Sequence, residues 1–409
     1  MRTRASAHLR PAGRRTTLAA ALLVLAGGLA ACSSTTDGAA GPGGSGGSGA
    51  TSGSESPKPE PVRIATSFTD AAAVPIDGPL TVSAEGGTLD TVQVTSPAGA
   101  VAGDVAGDTW TASDRLEPGT DYSITASTTR SDGRKVERTR SFHTVDLSLD
   151  QQTFASIAPL DGETVGVGMP VIVTFDVPVT DKALFEKHMH VTSTPAQKGS
   201  WYWMSDTEAH YRPAAYWKAG TDVSVDLDLN SLPAGNGIYG QESRKIDFTI
   251  GDAHVYKVDA QTHQMQVFSN GKLLRTLPIT TGKPGFVTRS GTKVIIEKFD
   301  EKRMNSETVG INRNSPDAYD IDDVQWAMRV TFSGEFIHAA PWSVGSQGYA
   351  NVSHGCTGMS TADAGWLYAM SRRGDVVEYT GTDRQMTLQN GYGDWNLSFR
   401  DWRSGSALS

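Results

Sequence analysis

The sequence predicts a mainly β protein, with two β-sandwich units in series followed by a mixed β domain that carries one short helix. Three observations support that class. A nine-residue turn-and-strand pattern recurs 101 residues further on, short alternating segments separated by Gly, Pro and Asp fill the chain after residue 62, and one capped apolar stripe begins near residue 361. The 409 residues suffice for about two to four domains. With 36 Lys and Arg against 45 Asp and Glu, the formal charge is −9 and no basic run occurs, which argues against a nucleic-acid partner. The 2 cysteines allow at most one disulfide.

Taken in chain order, residues 1–31 read as an export signal. Arg2, Arg4, Arg10, Arg14 and Arg15 give a basic start without an acid, and the apolar run over 18–31 is too short and too rich in small residues to span a bilayer. It ends Leu29-Ala30-Ala31-Cys32, which resembles the lipobox of bacterial lipoproteins. That resemblance implies a Cys32 that is lipidated, becomes the mature N-terminus, and anchors the chain to the outer face of a membrane. Arg14-Arg15 has flanks that fit a twin-arginine signal poorly, so the Sec and Tat routes both stay open. Removing the five arginines of residues 1–31 takes the formal charge from −9 to −14. Residues 32–61 are dominated by Ser, Thr, Gly, Pro and Ala with no apolar periodicity, a flexible tether of about 30 Å mean reach.

Residues 62–146 and 147–250 read as two copies of one β unit. Leu116-Glu117-Pro118-Gly119-Thr120-Asp121-Tyr122-Ser123-Ile124 returns as Trp217-Lys218-Ala219-Gly220-Thr221-Asp222-Val223-Ser224-Val225, and Trp110 maps onto Tyr211 at the same offset. Val171, Val173, Phe175, Val177 and Val179 alternate on one strand face. Units of this size and punctuation suit immunoglobulin-like sandwiches.

The character changes over 251–380. Residues 255–258 and 265–268 alternate, and Ser269-Asn270-Gly271-Lys272 marks a hairpin turn before 273–277. Further strands are expected over 293–299, 326–332, 335–338 and 376–379. A helix is expected over 361–373, opened by a Ser360–Asp363 capping box and closed by Gly374. The Trp-rich segment 381–409, with Trp395 and Trp402, is expected to pack back onto this domain.

Ser353-His354-Gly355-Cys356 is the most informative stretch. His338 stands 18 residues upstream at the end of a strand signature, and the segment between is loop-like. A thiol needs a nearby imidazole to take its proton, and a Gly before the nucleophile lets amides approach an oxyanion. On the chemistry alone, a Cys/His nucleophile and a buried structural thiol both remain open.

Residues 251–380 resemble a YkuD-type L,D-transpeptidase catalytic domain, whose signature is a His, a gap of this size, and Ser/Thr-His-Gly-Cys. The order of signal, two immunoglobulin-like domains, catalytic domain and Trp-rich tail also resembles actinobacterial and mycobacterial members. The resemblance implies that Cys356 is the nucleophile and His338 its base, oriented through the carbonyl of Ala339. It implies an oxyanion hole from amides around His354, Gly355 and Cys356. Met304 and Tyr319 then belong to a substrate lid, with Ser353 and His354 on the substrate-facing loop. Peptidoglycan stem peptides are the implied donor and acceptor, 3→3 cross-links the product, and carbapenems the inhibitors. An L,D-carboxypeptidase or a noncatalytic wall-binding lipoprotein are the alternatives. One departure stands out: the family has an apolar residue and then Asn after the Cys, where this chain has Thr357 and Gly358. No cofactor is expected. His188-x-His190 reads as a strand face rather than a metal pair, and Asp320, Asp322 and Asp323 as a solvated acidic loop.

Overall fold

A computed structural model describes residues 61–409; the expected signal, Cys32 and nearly all of the tether lie outside the described residues. In the first sandwich, Arg63–Thr66, Thr81–Glu85, Thr109–Ala112 and Gly103–Ala106 form one sheet in that order. Gly99–Val101, Gly87–Ser96, Asp121–Arg130 and Lys135–His143 form the other. Along Asp121–Arg130 the residues Tyr122, Ile124, Ala126 and Thr128 are buried, the period-two pattern of a strand with one inward face.

The second sandwich repeats the order of the first sheet, while its other sheet has a parallel edge strand, Thr164–Val165, beside its last strand in place of a hairpin strand like Gly99–Val101. Ala155–Ala158, Val171–Phe175, Glu208–Pro213 and Gly199–Trp203 form one sheet, and Thr164–Val165, Arg244–Ile250, Asp222–Leu227 and Met189–Thr194 the other. The recurring sequence pattern is one recurring turn. Gly119 (φ +57°) and Gly220 (φ +72°) sit in left-handed conformations, and their amides donate to Val145 O at 2.8 Å and Ile250 O at 2.9 Å.

The third unit packs two sheets around one core. Lys272–Pro278, Gln264–Ser269, His254–Asp259, Val376–Thr380 and Gly291–Val294 form the first sheet, and Glu297–Asn305, Asp320–Arg329, Phe336–Ala339 and Thr357–Met359 the second. Tyr256, Val258, Met265, Val267, Ile337 and Met359 fill the core with Leu367 of the helix. Asn270 and Gly271 have φ of 49° and 78°, the left-handed pair that a two-residue hairpin needs.

Four local expectations are corrected. The strand over 293–299 is two strands, because the amides of Ile295 and Ile296 pair with Asp375 O and Arg329 O and carry the chain from one sheet to the other. The strand over 326–332 is Asp320–Arg329. The helix keeps its Ser360 cap but ends at Met370, where the Ser371 hydroxyl and amide both bind Leu367 O and Asp375 accepts the Arg372 amide. The tail touches the third unit through Asn396, which bonds both backbone groups of Thr292, and then crosses to the second sandwich. There Trp395 Nε1 donates to Gly168 O at 2.8 Å and Trp402 Nε1 to Ser200 O at 2.9 Å.

The same two units meet backbone to backbone. Gly166 and Gly168 donate to Arg373 O and Gly374 O at 2.8 Å, and a Cβ on Gly166 would lie 2.2 Å from Asp375 N. Val294, Ile296 and Val376 of the third unit join the core of the second sandwich. The site described next therefore stands on a base shared by two domains.

Candidate active site

The register of one parallel strand pair builds the site. Ile337 lies opposite Thr357 and His338 opposite Gly358. Cys356 precedes Gly358 by two residues, so it leaves the strand end on the same face as His338. Both line one cavity of about 290 Å³ with Ser353, His354, Tyr319, Met304, Ile321, Val324, Trp342 and Gly358.

His338 is 5% exposed, and its Nδ1 lies 2.7 Å from Ala339 O. A carbonyl oxygen only accepts, so Nδ1 carries the proton and Nε2 keeps its lone pair. Burial holds the imidazole below its ordinary pKa of 6.5, opposed by the Ala339 bond. Cys356 is a free, half-buried thiol that donates to Gly334 O at 3.6 Å. Desolvation pushes the thiol up to about 11, Glu335 adds to the rise, and the Phe336 backbone, Lys293 and Arg329 oppose it. At rest the pair is therefore neutral imidazole and neutral thiol.

The loop from Ser353 to Cys356 is held by polar groups. Ser353 Oγ donates to Cys356 O at 2.6 Å and accepts the Gly355 amide at 3.1 Å. Thr288 Oγ1 donates to Gly355 O at 2.8 Å. Gly355 has φ +121°, which any side chain would strain, and its amide is already bonded within the loop. His354 packs edge-on against Phe286 at 4.8 Å and beside Tyr319 at 5.1 Å. Its Nε2 stands 3.6 Å from Asp317, which accepts from Lys283 at 2.6 Å. Burial and then Lys283 lower the His354 pKa. Met304 and Tyr319 sit on the two sides of the Glu297–Asn305 and Asp320–Arg329 hairpin that overhangs the cavity, and burial pushes the Tyr319 hydroxyl up to about 12.

At the departure from the family pattern the space is closed. A Cβ on Gly358 would lie 2.9 Å from Ala340 Cβ and 3.1 Å from Thr280 Cγ2. The acidic residues expected in a loop belong to a strand instead: Arg303 bonds Asp320 at 2.7 Å and Asp322 at 3.1 Å on the exposed ladder. His188 caps a helix and bonds Leu184 O, while His190 is exposed on the next strand. Among the described residues no group of three or more His, Cys, Asp or Glu is arranged for a metal.

Gly334, the acceptor of the thiol, carries no motif of its own in the sequence. Its φ is +96°, and a Cβ there would lie 2.4 Å from Val309 Cγ1. Lys293 and Glu335 belong to no motif either, though a Lys at an inward strand position is a signal in itself.

The L,D-transpeptidase catalytic domain family matches residues 253–378, and a bacterial Ig domain family matches residues 71–233. L,D-transpeptidase 2 of Mycobacterium tuberculosis is 35% identical over 350 residues, covering 84% of this chain and 85% of that protein. The chain belongs to the L,D-transpeptidases. L,D-transpeptidase 5 of the same organism is 35% identical over 86% of this transpeptidase and 78% of its own length. A solved structure of the L,D-transpeptidase LdtMt1 in complex with imipenem shares 37% identity. It covers 55% of this transpeptidase and 98% of that chain, with a TM-score of 0.50.

Proposed function

We propose that this transpeptidase cross-links peptidoglycan through a thioester on Cys356, with His338 as its base. The observation that carries the reading is the shared cavity, in which Cys356 meets a His338 whose Nδ1 is fixed on Ala339 O. The sulfur attacks the carbonyl joining the L-centre of diaminopimelate to the terminal D-Ala of a tetrapeptide stem. A C–S bond forms, the thiol proton passes to Nε2, and the oxyanion faces the His354 and Cys356 amides and the Tyr319 hydroxyl, the Gly355 amide being held by Ser353 Oγ. The C–N bond then breaks, and D-Ala leaves with the proton from His338. The side-chain amine of a second stem attacks the thioester, gives its proton to His338, and releases the thiol with a 3→3 cross-link. Met304, Ile321 and Val324 give the cavity an apolar wall against water, which supports transfer to an amine over hydrolysis.

Incubation with imipenem and intact-mass measurement tests the nucleophile. The expected result is one adduct on the wild type and none on Cys356→Ala; an adduct that persists in Cys356→Ala overturns it. Muropeptide products with 3→3 dimers support transfer, and tripeptides alone overturn it.

We propose also that Cys32 carries the lipid that holds the enzyme at the outer face of the membrane, where its substrate lies. The lipobox-like Leu29-Ala30-Ala31-Cys32 supports this. Labelled palmitate is expected to enter the wild-type chain and not Cys32→Ala; label retained in that variant overturns the anchor.

A further inference from the structure

A buried charge cluster lies directly behind the nucleophile. Lys293 is fully buried, and its Nζ donates to Glu335 Oε2 at 2.5 Å. The other carboxylate oxygen of Glu335, itself 5% exposed, accepts from Arg289 Nη1 at 2.8 Å and from the Arg289 amide at 3.2 Å. Burying the Lys293 and Glu335 charges is costly unless they are fully paired, and the part-buried Arg289 completes the pairing. A core position between two β-sheets would be filled more cheaply by an apolar side chain.

The cluster reaches the nucleophile loop at one point directly and at three through a neighbouring residue. The Glu335 Cγ lies 3.8 Å from where a Gly355 Cβ would stand, so its stem packs on that glycine. Lys293 Nζ sits 3.7 Å over the Tyr379 ring, whose hydroxyl hydrogen-bonds Thr357 at 2.8 Å. Arg289 follows Thr288, which holds Gly355 O. Glu335 also follows Gly334, the acceptor of the thiol.

We propose that Lys293, Glu335 and Arg289 are positioning residues for Cys356, bracing Gly355, Cys356 and Thr357 from behind and setting the field at the sulfur by opposed charges. The proposal rests on Cys356 as the nucleophile. The charged and titratable groups around the sulfur are Lys293, Glu335, Arg289, Arg329, His338, His354, Tyr319 and Tyr379, and burial with Lys283 keeps His354 below its ordinary pKa. His338 is neutral and both tyrosines stay protonated near neutral pH. The balance therefore falls to Lys293 and Arg329, which favour the thiolate, and Glu335, which opposes it. Desolvation lowers Lys293 to about 8 against the pull of Glu335, so its charge is present at neutral pH and fades above it.

The test is the rate of iodoacetamide alkylation, read by mass spectrometry on the Cys356 peptide of the whole protein. At pH 7, Lys293→Met is expected to slow alkylation about threefold or more, half a pKa unit at the thiol, with Glu335 still held by Arg289. Adding Glu335→Gln to that variant is expected to restore the rate about threefold or more, because the opposing charge goes too. A merely structural role would make the double variant no faster than the single. The wild type gives a second reading that needs no variant. Its rate should rise about tenfold per pH unit up to about 8 and then lag as Lys293 loses its proton. A double variant no faster than Lys293→Met, or a wild-type rise without a lag between pH 6 and 10, overturns the proposal. Alkylation reads the thiol whether or not it transfers acyl groups, so failure here is distinct from a carbapenem adduct that survives Cys356→Ala.

Discussion

Replacing His338 by Gln is expected to slow acylation of Cys356 by imipenem about 10²–10⁴-fold while the protein stays folded. The size follows from the resting state of the pair. A thiol pushed up to about 11 is almost wholly protonated at pH 7, so attack needs a base in the same step. The Ala339 carbonyl fixes the imidazole with Nε2 unprotonated, and burial keeps it neutral below the ordinary 6.5. Glutamine can still donate to Ala339 O but has no basic nitrogen. The wild-type rate should rise with pH through a midpoint below 6.5, since a protonated imidazole accepts nothing, and then level off. In His338→Gln that acid limb should vanish with the rate. The rate of adduct formation by mass, with a melting curve as control, checks both. A variant within tenfold of the wild type, or one that keeps the acid limb, removes His338 from the role.

The second large effect is on stability. Trp402→Ala is expected to cost about 3–5 kcal/mol in the unit that contains the second sandwich. Trp402 is fully buried, stacks on Tyr202 at 4.8 Å and donates to Ser200 O. Arg212, 2% exposed, lies between the Trp402 and Trp395 rings at 4.7 Å and 4.8 Å and donates to Leu397 O. Removing the indole opens a cavity and strips one face of a buried cation, and the two losses reinforce each other. Beside it, burial lowers the His210 pKa but Asp394, 2.7 Å away, and Glu208 outweigh it and raise it to about 9. This adds an ion pair between sandwich and tail at neutral pH. Denaturant unfolding should show the loss in one transition, while imipenem acylation at 25 °C stays near the wild-type rate, because Trp402 is not part of the cavity lining. A midpoint unchanged within error would mean that the tail does not hold the two domains together.

Local patterns were legible where one face of a strand meets a core. Val171, Val173 and Phe175 are buried as expected, but Ile172 between them is buried too, and Val177 and Val179 lie past the end of the Val171–Phe175 strand. The 101-residue repeat was legible because a left-handed turn needs Gly at the same place in each copy, at Gly119 and Gly220. Strand ends were not legible. Ile295 and Ile296 continue an alternating pattern, and only the carbonyls of Asp375 and Arg329 decide that the chain changes sheets there. The helix end was misplaced for the same reason, since Asp375 draws the chain away before Gly374 is reached.

By itself the sequence determined the fold class and the family, since Ser353-His354-Gly355-Cys356 after His338 is a pattern of residue types along the chain. The tertiary structure decided what surrounds Cys356 and His338: the Gly334 carbonyl under the thiol, the Lys293–Glu335 pair behind it, the closed space at Gly358, and a tail that crosses to the second sandwich. These are contacts between residues far apart in the chain, such as Lys293 with Glu335 and Trp402 with Ser200. Periodicity records which face of an element is apolar. It does not record which partner that face meets, and the partner sets the charge and the room at the sulfur.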